Sequence, residues 1–160
     1  MTPRRRRRPA AVLATLLTVS CNDSGPSPTA PSEGSSFLSG TWRGTVTIQA
    51  DPENPNAPAA VSAATSWTFE VVPGTNRQSF RATIRTDHPW LPISTVATTA
   101  LIPGNTPPSH ISTLGDYASP RGCRGTFGSV GIVEIRRIDA DFTGVDCDVT
   151  FRGRVALAKD

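Results

Sequence analysis

Three cysteines, two histidines and a run of aspartates are the side chains of this 160-residue sequence best suited to bind a metal or drive a reaction. Cys123 and Cys147 lack the paired CxxC spacing and nearby histidines of a zinc site. His88 stands in the segment Thr86-Asp87-His88-Pro89-Trp90, with a carboxylate beside it, and His110 stands alone. A serine hydrolase needs a nucleophile on a sharp strand-to-helix turn such as Gly-x-Ser-x-Gly, and the sequence has none. Both histidines are therefore read as loop residues on a solvated surface. The stretch Asp139, Asp141, Thr143, Gly144, Asp146 and Asp148 imitates the start of a calcium loop, but Thr150 occupies the position that must supply a bidentate carboxylate. The same residues make a hairpin in which Asp141 faces Arg152 and Asp139 faces Arg154. That register sets Phe142 opposite Phe151 and Ile138 opposite Val155, with opposite charges paired across the strands. The expectation is a protein with no metal, no cofactor and no catalytic centre.

The remaining cysteine has a different context. Five arginines, Arg4 to Arg8, precede an uncharged apolar run from Ala10 to Val19, and Ser20 stands before Cys21. A positive segment, a short apolar segment and a small residue before a cut describe a secretory signal, and the run is shorter than the roughly 20 apolar residues that span a bilayer as a helix. Leu17-Thr18-Val19-Ser20-Cys21 resembles the lipobox of bacterial lipoproteins. The resemblance implies removal of residues 1–20 and acylation of Cys21, with export and attachment to the cell envelope. In a cell with two membranes it favours the outer one. Thr18 departs from the leucine commonest at its position. No Phe-Leu-Lys follows the arginine pair, so the general secretory route is favoured over the twin-arginine one. Two or more acyl chains hold a protein stably where one is marginal.

Processing changes the charge and the cysteine count. Of 16 Lys and Arg residues five lie in the signal, so 11 remain against 13 Asp and Glu, and the mature chain is about −2. A mildly acidic chain has no electrostatic case for nucleic acid. Removing Cys21 from the count leaves Cys123 and Cys147, which in an oxidising compartment read as one disulfide.

Residues 21–36 are the lipidated cysteine and a spacer of Ser, Pro, Gly, Asn and Asp with no large apolar side chain, too polar to offset the entropy of ordering. Residues 37–160 are one domain of ordinary size. Its apolar period is two rather than 3.6. Trp42–Ile48, Ser66–Val71 and Phe80–Arg85 alternate, and residues 93–102 and His110–Leu114 are rich in β-formers. Ser129–Ile135, Ile138–Thr143 and Val149–Leu157 close the pattern, with Gly144 and Asp146 in the last turn. Short alternating strands separated by turn residues mean an all-β fold: a small antiparallel up-and-down barrel of about eight strands, or a two-sheet sandwich as the alternative.

Gly40-Thr41-Trp42 at the first strand resembles the Gly-x-Trp signature of lipocalins and other calycins. The layout is also similar to small bacterial lipoproteins of unknown function that open Leu-x-Gly-Thr-Trp. The resemblance implies that Gly40 and Trp42 close one end of the barrel under an arginine from near the chain's end, here Arg152 or Arg154. The sequence contains no counterpart of the helix that follows the last lipocalin strand. Avidins share the opening motif, but their pocket tryptophans lie in the second half of the chain, and here Trp42, Trp67 and Trp90 all lie at or before residue 90, so the resemblance does not extend to biotin binding. Two functions follow. One is a structural or protein-interaction lipoprotein that meets an envelope partner. The other is a carrier whose barrel holds a small apolar ligand, with Gly44, Ala82, Ala140 and Gly153 leaving room inside and a mouth opposite Trp42.

Overall fold

Period-two alternation becomes eight antiparallel strands in the computed structural model, which describes residues 36–160. The expected signal over residues 1–20 and the expected acylation site Cys21 lie outside the described residues. The strands are β1 (Gly40–Ala50), β2 (Val61–Val71), β3 (Ser79–Thr86), β4 (Ser94–Ile102), β5 (Ser109–Ala118), β6 (Arg124–Val133), β7 (Arg137–Asp146) and β8 (Val149–Lys159). Each pairs with its neighbours in sequence, and β1 also pairs with β8, so the sheet closes into a barrel. A sandwich would leave edges with unpaired N–H and C=O groups; closure removes them. Ser36 belongs to the domain rather than the spacer, since it is 2% exposed and its hydroxyl donates to Asn105 in the β4–β5 loop.

Two local expectations are corrected. β6 starts at Arg124, five residues before the predicted Ser129, because Gly125 and Gly128 interrupt the apolar pattern without ending the strand. The β7–β8 turn is Cys147-Asp148, with Cys147 at a φ of 60°, and Gly144 and Asp146 are strand residues. The register consequently shifts by two. Asp141 faces Arg154, Thr143 faces Arg152, Phe142 faces Gly153 and Ile138 faces Leu157. An even shift keeps each side chain on its face, so the predicted inner and outer sets survive.

The inner face is a core of side chains. Trp67, Phe69, Phe127, Phe142 and Phe151 are buried, and their rings make one connected chain: Phe69 to Trp67 at 6.1 Å, Trp67 to Phe142 at 6.5 Å, and Phe142 to Phe127 at 5.2 Å and to Phe151 at 5.6 Å. Tilted and edge-on pairs at these separations add about 0.5–1.5 kcal/mol each beyond the area they bury. Glycines make the space for them. Gly115 pairs with Phe127, Gly125 with Tyr117 and Gly144 with Phe151 across adjacent strands. A Cβ on Gly125 would stand 2.1 Å from the Tyr117 ring, and one on Gly144 2.4 Å from that of Phe151. Gly44 and Gly153 serve a different contact. A Cβ there would lie 1.9 Å from the Ala156 carbonyl oxygen and 1.8 Å from that of Thr47, so backbone already fills the space the side chain lacks.

Gly153→Ala should therefore force the β1–β8 closure apart and cost about 2–3 kcal/mol, the upper part of the range for overpacking. Gly128→Ala meets only the mobile end of Leu114 at 3.1 Å and should change stability by less than about 0.5 kcal/mol. Urea midpoints at constant slope measure both.

Candidate functional site

The starts of odd strands and ends of even strands gather at one end of the barrel, where the chain enters. Leu38 and Trp42 are fully buried there, and the Trp42 indole N–H donates to the Leu38 carbonyl at 2.8 Å. The cation over this Trp is neither Arg152 nor Arg154. Both point outward on β8, because their positions alternate with the inward Phe151 and Val155, and Arg154 lies 3.6 Å from Asp141 on the outer wall. Lys159 takes the expected place: its ammonium stands 5.4 Å from the Trp42 ring centroid and donates to the Phe37 carbonyl. Burial, and then the neighbouring Arg136 guanidinium, lower its pKa. The seal at this end is thus a Trp–Lys pair, a recognised cation–π arrangement.

The opposite end carries the β1–β2, β3–β4 and β5–β6 loops. A mouth is expected here, yet the β3–β4 segment folds across it. Leu91 and Ile93 are buried, and Trp90 meets Phe151 edge-on at 6.1 Å, extending the interior chain of rings to the rim. His88 holds this segment in place. It is only 2% exposed, which corrects the expectation of a solvated loop histidine. Its Nδ1 accepts from the Trp90 and Leu91 backbone N–H groups at 3.3 and 3.2 Å, and its Nε2 lies 3.1 Å from the Val61 carbonyl. Two donors on Nδ1 require that Nε2 carry the proton, so the ring is neutral and donates to Val61. Burial lowers its pKa, against a smaller opposing effect of the Val61 hydrogen bond. His110, by contrast, is exposed as expected.

On the same rim Cys123 and Cys147 stand at disulfide distance, with Cα atoms 5.5 Å apart. The pair joins the β5–β6 loop to the β7–β8 turn, and a bond closing this 24-residue separation stabilises the fold by about 3 kcal/mol on the loop-entropy account. Behind it Asp146 is fully buried. One carboxylate oxygen accepts from the Tyr117 hydroxyl at 3.0 Å, and the other has no hydrogen bond but lies 3.8 Å from Arg121 Nη1. Burial and then the Asp146 carboxylate raise the Tyr117 pKa well above its usual value, so the phenol remains a donor. Asp139 pairs with Arg137, Asp141 with Arg154 and Asp148 with Arg121. Asp146 and Asp148 thus share Arg121, while Asp139 and Asp141 pair separately on the outer wall, and the stretch forms a β-hairpin.

The inward small residues are packed against neighbouring strands. Ala82 and Ala140 are buried among larger side chains, and the space over Gly44 and Gly153 is backbone. Depressions of about 560 and 540 Å³ lie outside the sheet, one beside Thr47, Thr143, Arg152 and Arg154 and one at the entry end beside Pro107, Pro108 and Ile135.

The outer wall divides by chemistry. β7, β8 and β1 expose Arg137, Asp139, Asp141, Arg152, Arg154 and Arg43. On β4–β6 the only outward charges are Asp116 and Arg124, paired with each other near one end. The rest of that wall carries Val96, Leu114 and Val130 at 55, 67 and 63% exposure, among Thr98, Ala100, Ser112 and Gly128. Three exposed aliphatic side chains on adjacent strands form a patch of the kind that marks an interaction surface. Sequence reasoning passed over it, although outward β-branched and leucine residues at alternate positions of three consecutive strands were its signal.

His88 links the plug to pH. With its pKa lowered below the ordinary 6.5, the unfolded chain binds the extra proton first, so stability is full above pH 6.5 and declines as pH falls through the folded-state value. Protonation also places a hydrogen on Nδ1 against two N–H donors. His88→Gln, which keeps a donor and an acceptor but does not titrate, should flatten this segment of the stability–pH curve between about pH 7 and 5. Equal slopes for parent and variant in chemical denaturation would refute the assignment.

No family model matches the chain, and no curated protein sequence matches it.

Proposed function

We propose that the protein is an exported lipoprotein, held to the cell envelope by acylation of Cys21, whose barrel is a non-catalytic interaction module acting through its outer surface. The observation that carries this reading is the contrast between an inner face of packed aromatic rings and a charge-poor apolar outer wall on β4–β6. A carrier needs an apolar cavity of roughly 300 Å³ or more with a route to it. Here the rings of Trp67, Phe142, Phe127 and Phe151 occupy the axis, and Trp42 and the His88 segment lie across the two ends. Recognition is left to the exterior, where Val96, Leu114 and Val130 stand exposed on adjacent strands. An envelope protein with a matching apolar strip is the partner this surface fits, because uncharged β-wall offers shape and apolar area rather than ion pairs.

Two measurements test the proposal. Cys21→Ala should abolish incorporation of labelled palmitate and release the protein from the membrane fraction; a variant that still fractionates with membranes like the parent sinks the anchoring part. A photoreactive residue at position 114 should give discrete crosslinked species in the intact envelope, whereas one at the exposed Thr45 should not. A small apolar molecule co-purifying in native mass spectrometry would reinstate the carrier.

A further inference from the structure

Where the chain joins the barrel, the surface changes character again. Ser36 is tied to Asn105 in the β4–β5 loop, Phe37 accepts from Lys159, and the Lys159 backbone N–H donates to the Arg136 carbonyl at 3.1 Å. The entry point is therefore wedged between the β4–β5 loop and the β6–β7 connection. These two segments enclose the 540 Å³ notch lined by Pro107, Pro108, Glu134, Ile135, Arg136 and Arg137, the last paired with Asp139. Ile135 is 64% exposed at the tip of its connection, and Ile102 and Ile132, at 57 and 50%, flank it at the ends of β4 and β6. Arg136 has no carboxylate partner among the described residues and lies close enough to Lys159 to oppose its charge. Aliphatic tips beside an unpaired guanidinium and a second cation match one surface well: a phospholipid interface with anionic headgroups, into which apolar side chains dip while long cationic ones stay at the phosphate level.

We infer that this end of the barrel docks on the bilayer that carries the anchor, with Ile135, Ile102 and Ile132 at the interface and Arg136 on an anionic lipid headgroup. The inference rests on acylation of Cys21, proposed above. Fourteen residues separate Cys21 from Ser36, a reach of at most roughly 50 Å. A tether that short holds the entry end at high effective concentration over the membrane, so a contact too weak to recruit a free protein is sufficient once the chain is anchored.

The test uses the mature acylated protein in phosphatidylcholine vesicles, with and without phosphatidylglycerol, and with brominated or ordinary acyl chains. Ile135→Trp adds an indole at the tip; Val96→Trp adds one at the far end of the wall. The fluorescence added by Ile135→Trp should be at least halved by brominated lipid and shifted to the blue, more so with phosphatidylglycerol, whereas that added by Val96→Trp should not change. Adding Arg136→Glu should remove the dependence on phosphatidylglycerol. A mass spectrum showing acylated Cys21 together with an unquenched Trp at 135 overturns the docking but leaves the anchor standing. An unmodified Cys21 overturns both. A blue shift that grows with protein concentration in the absence of vesicles assigns the surface to a second copy and overturns the lipid reading.

Discussion

The packing of aromatic rings over glycines on the neighbouring strand is the contact on which the rest of this barrel depends. An eight-stranded barrel has an interior just wide enough for side chains to fill. Large rings fit inside only where the strand opposite gives up its Cβ, and Gly115, Gly125 and Gly144 do so for Phe127, Tyr117 and Phe151. Remove one such vacancy and the ring must leave its rotamer or the strands must part. The glycines at 44 and 153 extend the same logic to backbone, letting β1 and β8 approach at the closure. Size complementarity of this kind resembles the aromatic cover of strand glycines used to steady designed sheets.

Each end of the barrel carries a buried residue in a hydrogen-bonded cluster. At one end a tryptophan bonded to a loop carbonyl lies beneath a lysine; at the other a neutral histidine clamps a short loop whose own tryptophan completes the stack. The outer surface divides into a charged half on β7, β8 and β1 and an aliphatic stretch on β4–β6. Ion pairs on the charged half are exposed, where each contributes at most about 1 kcal/mol. They serve solubility and the hairpin register more than stability.

Much of this was legible in the residues. All eight strands overlap stretches read as strands, β4 and β5 from their content of β-formers rather than from alternation; the closed barrel is one of the two folds those short strands allowed, and Cys123 and Cys147 stand at disulfide distance as expected. The failures have physical reasons. Turn propensity pointed to Gly144 and Asp146, but that glycine is inside a strand opposite Phe151, and the chain reverses only at Cys147-Asp148, with Cys147 at positive φ. An arginine was expected over Trp42 because Arg152 and Arg154 lie near the chain's end. Alternation sends both outward, and only Lys159, beyond Leu157, reaches the correct end. His88 looked like a surface residue because Asp87, Pro89 and Pro92 surround it with loop signals. Its burial comes from backbone partners that no local pattern encodes. Small inward residues looked like empty space, since a sequence does not show what stands across from a glycine.

The approach of the first and last described residues of the barrel has a topological consequence. Asp160 donates its backbone N–H to the Thr41 carbonyl, and Ser36 turns back on Ser39 a few residues away. In an antiparallel barrel every strand is equivalent in its pairing, so a short peptide joining these ends makes the wall continuous. The chain can then be cut at any rim loop, and the loop at residues 51–60 is the natural place. A permuted chain begun there would keep all eight pairings while moving any N-terminal attachment to the opposite rim, turning the barrel end for end relative to whatever holds it.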